Sequence, residues 1–466
     1  MVSVKKVSSK KIDFTSGPMF GKILAFAVPL MATSLLQSMY SMADKIIVGK
    51  FSGDPLALAA VGSSTPLANF IINMLIGITA GVAVVVARSY GAKDNETVSK
   101  AAHTAITFSA ICGVFVTILG IIIARPMLIL MGTKEELLSS AVTYISIFFI
   151  GTPATAVYNF SSAILRSAGD SKTPLRILPF TGLLNILLNI LFVVVFGMSA
   201  DGVALATIIS QYTSATAIVI VIARRKSEAY TLKFKQLGIN KKILSEMLYI
   251  GIPSALQSSM FTISNILLTG AANTLLTADL TAKSINDSIG NMANTAMAAY
   301  SHASVTATAQ NCGAKKYRRI KKTLIYCIVQ AVTISVILTS IVVIFRNPLI
   351  NMFIDASDPD KLLVIDRCKK LITLIIGFYF VAGIMNSFSG ALRGLGYSIL
   401  TSVVSIGGIC GLRILWIYTA FQTPTFHTIH GLYASYPITW AATSLVLSIA
   451  FVIVYKRLLK KEDSSL

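Results

Sequence analysis

In the stretch SLLQSMYSMADKIIVGKF (residues 34–51), a carboxylate, Asp44, stands near the end of an apolar run, beside Lys45 and before Gly49 and Gly53. A carboxyl group in apolar surroundings can take up and release a proton or a small cation, because burial penalises its bare charge. Amides and a hydroxyl are at hand to complete such a site. Asn185 and Asn189 lie four apart in LLNILLNILFVVVF, on one helix face, while Asn159 and Thr207 sit in other apolar runs. The plain alternative for these amides and this hydroxyl is interhelical hydrogen bonding, worth ~0.6 kcal/mol each. For Asp44 it is a helix-end acid among lipid headgroups. Lys45 points about 100° away on a helix and can extend to the surface instead. Asp287, which follows Asn286, is the other acid inside an apolar stretch and reads as an acid at a wet outer end. Arg413, deep in GLRILWIYTAF, either pairs across helices or reaches for the surface.

The element that must position these residues is a membrane helix. Only 13% of the 466 residues are charged and the mean hydropathy is +0.75, where a soluble protein carries about 25% charged residues. Apolar runs of about 20 residues recur, the length that crosses a ~30 Å hydrocarbon layer. Twelve spans are expected, at about 24–48, 62–87, 101–124, 140–165, 177–199, 202–223, 248–275, 284–310, 323–345, 369–392, 398–421 and 433–455. The fold class is an all-α integral membrane protein with twelve transmembrane helices. The first span is too long for a cleaved signal and lacks a clear small-residue cleavage site.

The net charge of +21 is distributed by side. With a cytoplasmic N-terminus, 29 of the 40 Lys and Arg fall in inward-facing segments, among them Lys5, Lys6, Lys10, Arg224, Arg225, Lys226 and the run GAKKYRRIKK (313–322). That bias places both termini in the cytoplasm and makes the basic run a topology signal rather than a nucleic-acid patch. Cys112, Cys312, Cys327, Cys368 and Cys410 are scattered, with no CxxC pair, and read as packing residues. No GxxxxGK[ST] loop, HExxH or GxSxG occurs, and HTIH (427–430) has no nearby acids. An enzyme is therefore not expected, and active transport would have to draw on an ion gradient.

The chain is duplicated. NFSSAILRSAGDS (159–171) matches NSFSGALRGLGYS (386–398), with Asn159/Asn386, Ser162/Ser389, Leu165/Leu392, Arg166/Arg393, Gly169/Gly396 and Ser171/Ser398 identical. SYGAKDNETVSK (89–100) matches NCGAKKYRRIKK (311–322), and AVPLMATSLLQSM (27–39) resembles GIPSALQSSMFTI (251–263), pairing Pro29 with Pro253. An offset of six helices gives parallel repeats, the plan of alternating-access transporters. The expected division is a tail 1–23, a six-helix bundle 24–223, a basic cytoplasmic linker 224–247, a second bundle 248–455 and a tail 456–466. Pro29 removes a helix hydrogen bond and makes a bend in the first span plausible. Gln37, Tyr40 and Gln257, with Met39 and Met260, are weak candidates for a substrate cavity, and core packing is the plainer reading of each.

MYSMADKIIVGKF with ALAAVG (57–62), RSYGAKD (88–94), AILRSAGDSKTP (163–174), LLNILLNILFVVVFG (183–197) and GVALATIISQ (202–211), in this order, resemble the multidrug and toxic compound extrusion (MATE) transporters. The resemblance covers nearly the whole chain and is closer to the DinF-type branch than to the NorM type. It implies a secondary antiporter of a prokaryotic cytoplasmic membrane, expelling cationic or amphipathic small molecules in exchange for H⁺ or Na⁺. No cofactor or nucleic acid is expected, the lipid bilayer is the surrounding partner, and the chain is expected to act as a monomer. The resemblance assigns the cation site to Asp44, Asn159, Asn185 and Thr207. Asn189 stands where that branch usually has a second carboxylate, and the acidic pair of the NorM-type seventh and tenth spans is missing, so Asp44 is left as a lone coupling carboxylate. Two rival readings are a lipid-linked oligosaccharide flippase of the same superfamily and a passive channel.

Overall fold

The computed structural model describes residues 11–54, 56–354 and 360–463, and their regular structure is helical, with no strand among them. Lys5, Lys6 and Lys10 lie outside the described residues, as does the side chain of Lys461. The chain runs through α1 (Met19–Phe51), α2 (Ala57–Gly91), α3 (Asn95–Leu130), α4 (Glu135–Ile150), α5 (Thr152–Ser167), α6 (Lys172–Asn189) and α7 (Ala200–Arg224). It continues through α8 (Lys241–Ala272), α9 (Thr277–Gly313), α10 (Tyr317–Ile344), the short α11 (Arg346–Asn351), α12 (Lys361–Ile375) and α13 (Tyr379–Gly394). The last helices are α14 (Ser398–Ser405), α15 (Leu412–Tyr418), α16 (Ile429–Tyr433) and α17 (Ser435–Asp463). Helix stands at each of the twelve expected places and generally overruns the apolar run at both ends. The overrun is physical: a helix satisfies its own backbone hydrogen bonds and need not stop where the hydrocarbon stops.

Among the described residues, nine helices are long and apolar enough to cross a membrane, or ten when α4 and α5, bent by 45° at Gly151, count as one. α8 and α9, at the seventh and eighth places, are long but fall outside that set. α9 carries Lys283, Asp287, Asn286, Asn291 and Asn294 along its length, which dilutes its apolar character. α6 passes at Ile190 into a π-helical segment ending at Val195, and α14 passes into another at Ile406–Gly411. Such segments interrupt the regular ladder and frequently accompany functional positions.

The chain folds as two compact units. One comprises the described part of Met1–Phe14 with Ala32–Ala255, and the other Thr15–Met31 with Leu256–Leu466. The unit boundaries therefore fall inside α1 and α8, two residues after Pro29 and two after Pro253, the prolines that the duplication pairs. In the first unit, the N-terminal half of α8 lies backbone to backbone on α2. A Cβ on Gly77 would meet the Ala255 backbone, one on Gly81 the Met247 carbonyl, and one on Gly251 the Ile78 carbonyl. Residues 225–240 connect α7 to α8 through turns and one 3-10 turn at Phe234–Gln236.

The duplication is also written in backbone geometry. Lys93 and Lys315, the third residues of the two GAK copies, are the only non-glycine residues at positive φ among those described, at 59° and 56°. Each closes a helix end: Asp94 N–H donates to Ser89 O at 3.0 Å and Lys316 N–H to Asn311 O at 2.8 Å. Gly169 and Gly396, likewise paired, adopt φ of 85° and 94° after α5 and α13.

In the first unit Asp170, just past Gly169, is buried and ion-paired to Arg225 at 2.7 Å, and it also accepts from the Thr173 hydroxyl at 2.6 Å, the Thr173 N–H at 3.0 Å and the Lys172 N–H at 3.1 Å. Burial alone would raise its pKa, but Thr173 and the Arg225 guanidinium outweigh burial and hold the carboxyl below the usual range. A depressed carboxyl contributes stability that is present above its unfolded pKa and lost as pH falls through its folded pKa. Asp170→Asn is expected to destabilise the purified protein by ~2 kcal/mol at neutral pH, since it removes the charged acceptor of a half-buried guanidinium. The gap from the parent should close below about pH 4, near the unfolded carboxylate value. Thermal melts across pH in detergent check both statements.

Candidate functional site

α1 and α6 pack side by side in the first unit, in register over three turns. The Tyr40 ring lies where a Cβ on Gly182 would stand, Asp44 faces Asn189, and Val48 joins Val193 in one apolar cluster. The steps of four and four on α1, and of seven and four on α6 and the π-helical segment after it, describe two helices running in the same direction. Glycine at 182 is what lets the aromatic ring approach α6 closely enough to bring the carboxylate to the amide.

Asn189 Nδ2 donates to Asp44 Oδ1 at 2.5 Å, and lies 3.4 Å from Asn185 Oδ1 one turn earlier. Asn189 is fully buried and Asn185 nearly so, at 0% and 6% exposure. Asn189 Oδ1 is buried and accepts no hydrogen bond among the described residues. The site thus holds one carboxylate, one donated amide hydrogen and an unsatisfied carbonyl oxygen. A carboxylate and a carbonyl are both acceptors, so the arrangement lacks a positive partner. Lys45 does not supply it, because its side chain is exposed.

The other predicted members are placed differently. Thr207 lies in α7 with its hydroxyl donating to Val203 O of its own helix at 2.9 Å. Asn159 is half-buried in α5 and makes no side-chain hydrogen bond among the described residues. Neither bonds to Asp44. Gln37 is exposed, and Gln257 is buried in the second unit, where its Oε1 accepts from Arg393 Nη2 at 2.9 Å and Ser402 Oγ at 3.2 Å. α1 is continuous helix through Pro29. Asp287 pairs with Lys283 at 2.9 Å, one turn earlier on α9. Tyr144 of α4 is the residue that sequence reasoning missed: its ring packs against the apolar cluster of Ile47, Val48 and Val193 that flanks the pair. A tyrosine in an apolar helix gives no period or motif to single it out. Among the described residues there is no group of three or more His, Cys, Asp or Glu that could hold a metal ion.

The sequence model of the MatE family matches residues 29–191 and 253–419, once in each repeat. The chain belongs to the MatE family. It is 27% identical over 446 residues to the Probable multidrug resistance protein YoeA of Bacillus subtilis, covering 93% of each chain. It is 27% identical over 403 residues to the Probable multidrug resistance protein NorM of Thermotoga maritima, covering 84% of each. A solved structure described as the outward-facing conformation of a MATE family transporter of the MOP superfamily superposes with a TM-score of 0.87. That match covers 97% of this chain and 99% of the other at 20% identity, a likeness of fold. In this MatE chain each matched segment opens on one of the paired prolines, Pro29 or Pro253. The first contains the whole Asp44–Asn185–Asn189 cluster.

One substitution tests how the cluster is balanced. Asn189→Asp would set a second carboxylate against Asp44, and two carboxylates at hydrogen-bond distance share one proton. The pH midpoint of any activity that depends on Asp44 should move up by about 1 unit or more. A pH–activity profile of the variant in vesicles checks this.

Proposed function

We propose that this MatE protein is a secondary active exporter of cationic or amphipathic small molecules, driven by inward movement of H⁺ or Na⁺ through Asp44. In this reading the chain crosses a prokaryotic cytoplasmic membrane twelve times with both termini inside, and works as a monomer by alternating access of its two halves. The observation that supports it is the Asp44–Asn189 pair with its unsatisfied Asn189 oxygen. A proton on Asp44 turns the carboxyl into a donor for that oxygen, and Na⁺ would ligate the carboxylate and the amide oxygens together. Either cation neutralises a charge that is costly to carry through the membrane. Neutralisation also removes the attraction for a cationic substrate, so ion entry and substrate release exclude each other. Asn159, Asn185 and Thr207 serve as further oxygen donors, and Pro29 as a bend point in α1.

The test is flux of a lipophilic cation, ethidium, in proteoliposomes carrying the full chain, with pH and Na⁺ gradients imposed separately. Uphill ethidium movement under one of the gradients is expected. Only downhill movement, indifferent to both gradients, would mean a passive channel and would overturn the reading.

A further inference from the structure

Arg413 is a buried guanidinium in the second unit. It is 5% exposed in α15, and no carboxylate pairs with it among the described residues. Its Nη1 has one long hydrogen bond, to Asn265 Oδ1 of α8 at 3.5 Å, and its Nε is buried with no partner. The guanidinium lies over the Tyr436 ring of α17, 3.8 Å from the centroid, so it crosses between helices and does not reach for the surface. Asp287, the nearby acid on α9, is already held by Lys283.

The surroundings are aromatic and amide-rich. Tyr436 stands edge-on to Trp440 with centroids 5.5 Å apart, and Trp440 packs on Tyr379 at the same distance. Tyr379 donates to Gly290 O at 3.2 Å. One turn before Gly290 on the same face of α9, Asn286 is 2% exposed and its Oδ1 has no partner. A ring face and one stretched amide bond offset only part of the cost of burying a guanidinium, which has five donors and is not deprotonated in proteins. The chemistry that would repay the rest is an anion, received on the fork of the guanidinium, beside a packed aromatic cluster that runs from Tyr436, stacked on Tyr433 at 5.2 Å, to Trp440 and Tyr379.

We propose that Arg413, with Asn265 and the Tyr436–Trp440–Tyr379 rings, forms a site in the C-terminal unit for the acidic group of an amphipathic compound: a sulfonate, phosphate or carboxylate carried on an apolar skeleton. The long Asn265 bond is the weak closure of the site, and the anion displaces it. The protein then handles zwitterionic or acidic amphiphiles as well as cations, with the acid read in one unit and the coupling ion in the other. This rests on the export reading for the substrate class alone, and binding is read without any gradient. A failure at Asp44 and a failure here are therefore separate results.

The protein contains two tryptophans, and Trp440 touches the proposed site. In a Trp416→Phe background, Trp440 emission of the full-length protein in detergent is titrated with 2-naphthalenesulfonate, 2-naphthalenemethanol and a naphthylmethyl trimethylammonium. The sulfonate is expected to bind about tenfold tighter than the alcohol, and Arg413→Gln to erase that preference while Arg413→Lys keeps part of it, because the lysine retains charge without the fork. Where Arg413→Gln does not fold, the parent series decides by itself. Equal binding of sulfonate and alcohol, preference for the ammonium, or an undiminished sulfonate preference in folded Arg413→Gln would each overturn the proposal. Displacement of the naphthalenesulfonate by an equal concentration of inorganic sulfate would also overturn it, assigning the site to a free anion.

Discussion

Asp44→Asn proteoliposomes should lose gradient-driven ethidium export by about a hundredfold or more, a group that can no longer exchange a cation being unable to couple one. The substitution is nearly isosteric. Asn at 44 can still accept from Asn189 Nδ2, so the α1–α6 contact at Tyr40/Gly182 and Val48/Val193 should survive and the thermal midpoint should stay close to the parent's. Loss of coupling with retained folding separates a role in ion exchange from a role in packing. The proposed function concentrates the ion dependence on one residue, because an amide, Asn189, and not a second carboxylate, stands beside Asp44. Asn189→Ala should therefore be much milder than Asp44→Asn. It removes a donor and an orphaned acceptor but leaves the titrating group. If Asp44→Asn vesicles still couple export to a pH or Na⁺ gradient, the proposed function fails.

The second large effect is structural. Gly81→Ala should destabilise the protein by about 1–3 kcal/mol, the usual cost of overpacking. The new Cβ would meet the Met247 carbonyl, which belongs to the backbone of α8 and cannot rotate aside. Gly62→Ala in the same helix is the control. Gly62 is exposed and a Cβ there meets nothing within 4 Å, so it should gain about 0.5–1 kcal/mol from lower chain entropy. Opposite signs for one substitution in one helix, read as melting temperatures in detergent, would establish that α2 and the first half of α8 are held by backbone contact. Equal effects would show that the seam is not tight.

Much of the architecture was legible because the membrane imposes it. A span must be long, apolar and helical, so the recurring apolar runs announced a bundle of membrane helices, and among the described residues nine or ten helices are long and apolar enough to cross. Helix ends were not legible, because nothing in the physics stops a helix at the hydrocarbon edge. The dilution of α9 by Asn and charge shows the same limit from the other side: composition alone does not admit it as a span, though it forms an unbroken helix. Of the site, Asp44 stood out because a carboxylate in an apolar run is expensive. Asn185 and Asn189 stood out because a spacing of four is a helix face. Thr207 and Asn159 stood out as polar groups in other apolar runs, and neither hydrogen-bonds to Asp44 among the described residues. Tyr144, brought in from another helix, had no sequence signal.

The sequence by itself determined the repeated design. The paired prolines, the paired glycines at positive φ and the two GAK turns are local requirements, met by residues within a few positions of one another. Tertiary structure decided where each repeat divides. Pro29 and Pro253 read only as helix irregularities, yet the units change over two residues after each of them. The glycines that hold the start of α8 on α2 belong to helices far apart in the chain. It also decided which polar groups meet. Asp44 has Asn189 through a close approach made at Gly182, and Arg413 has a tyrosine face and no acid. Local sequence sets the conformation of a helix, but the partner of a buried charge comes from another helix, and only packing chooses it.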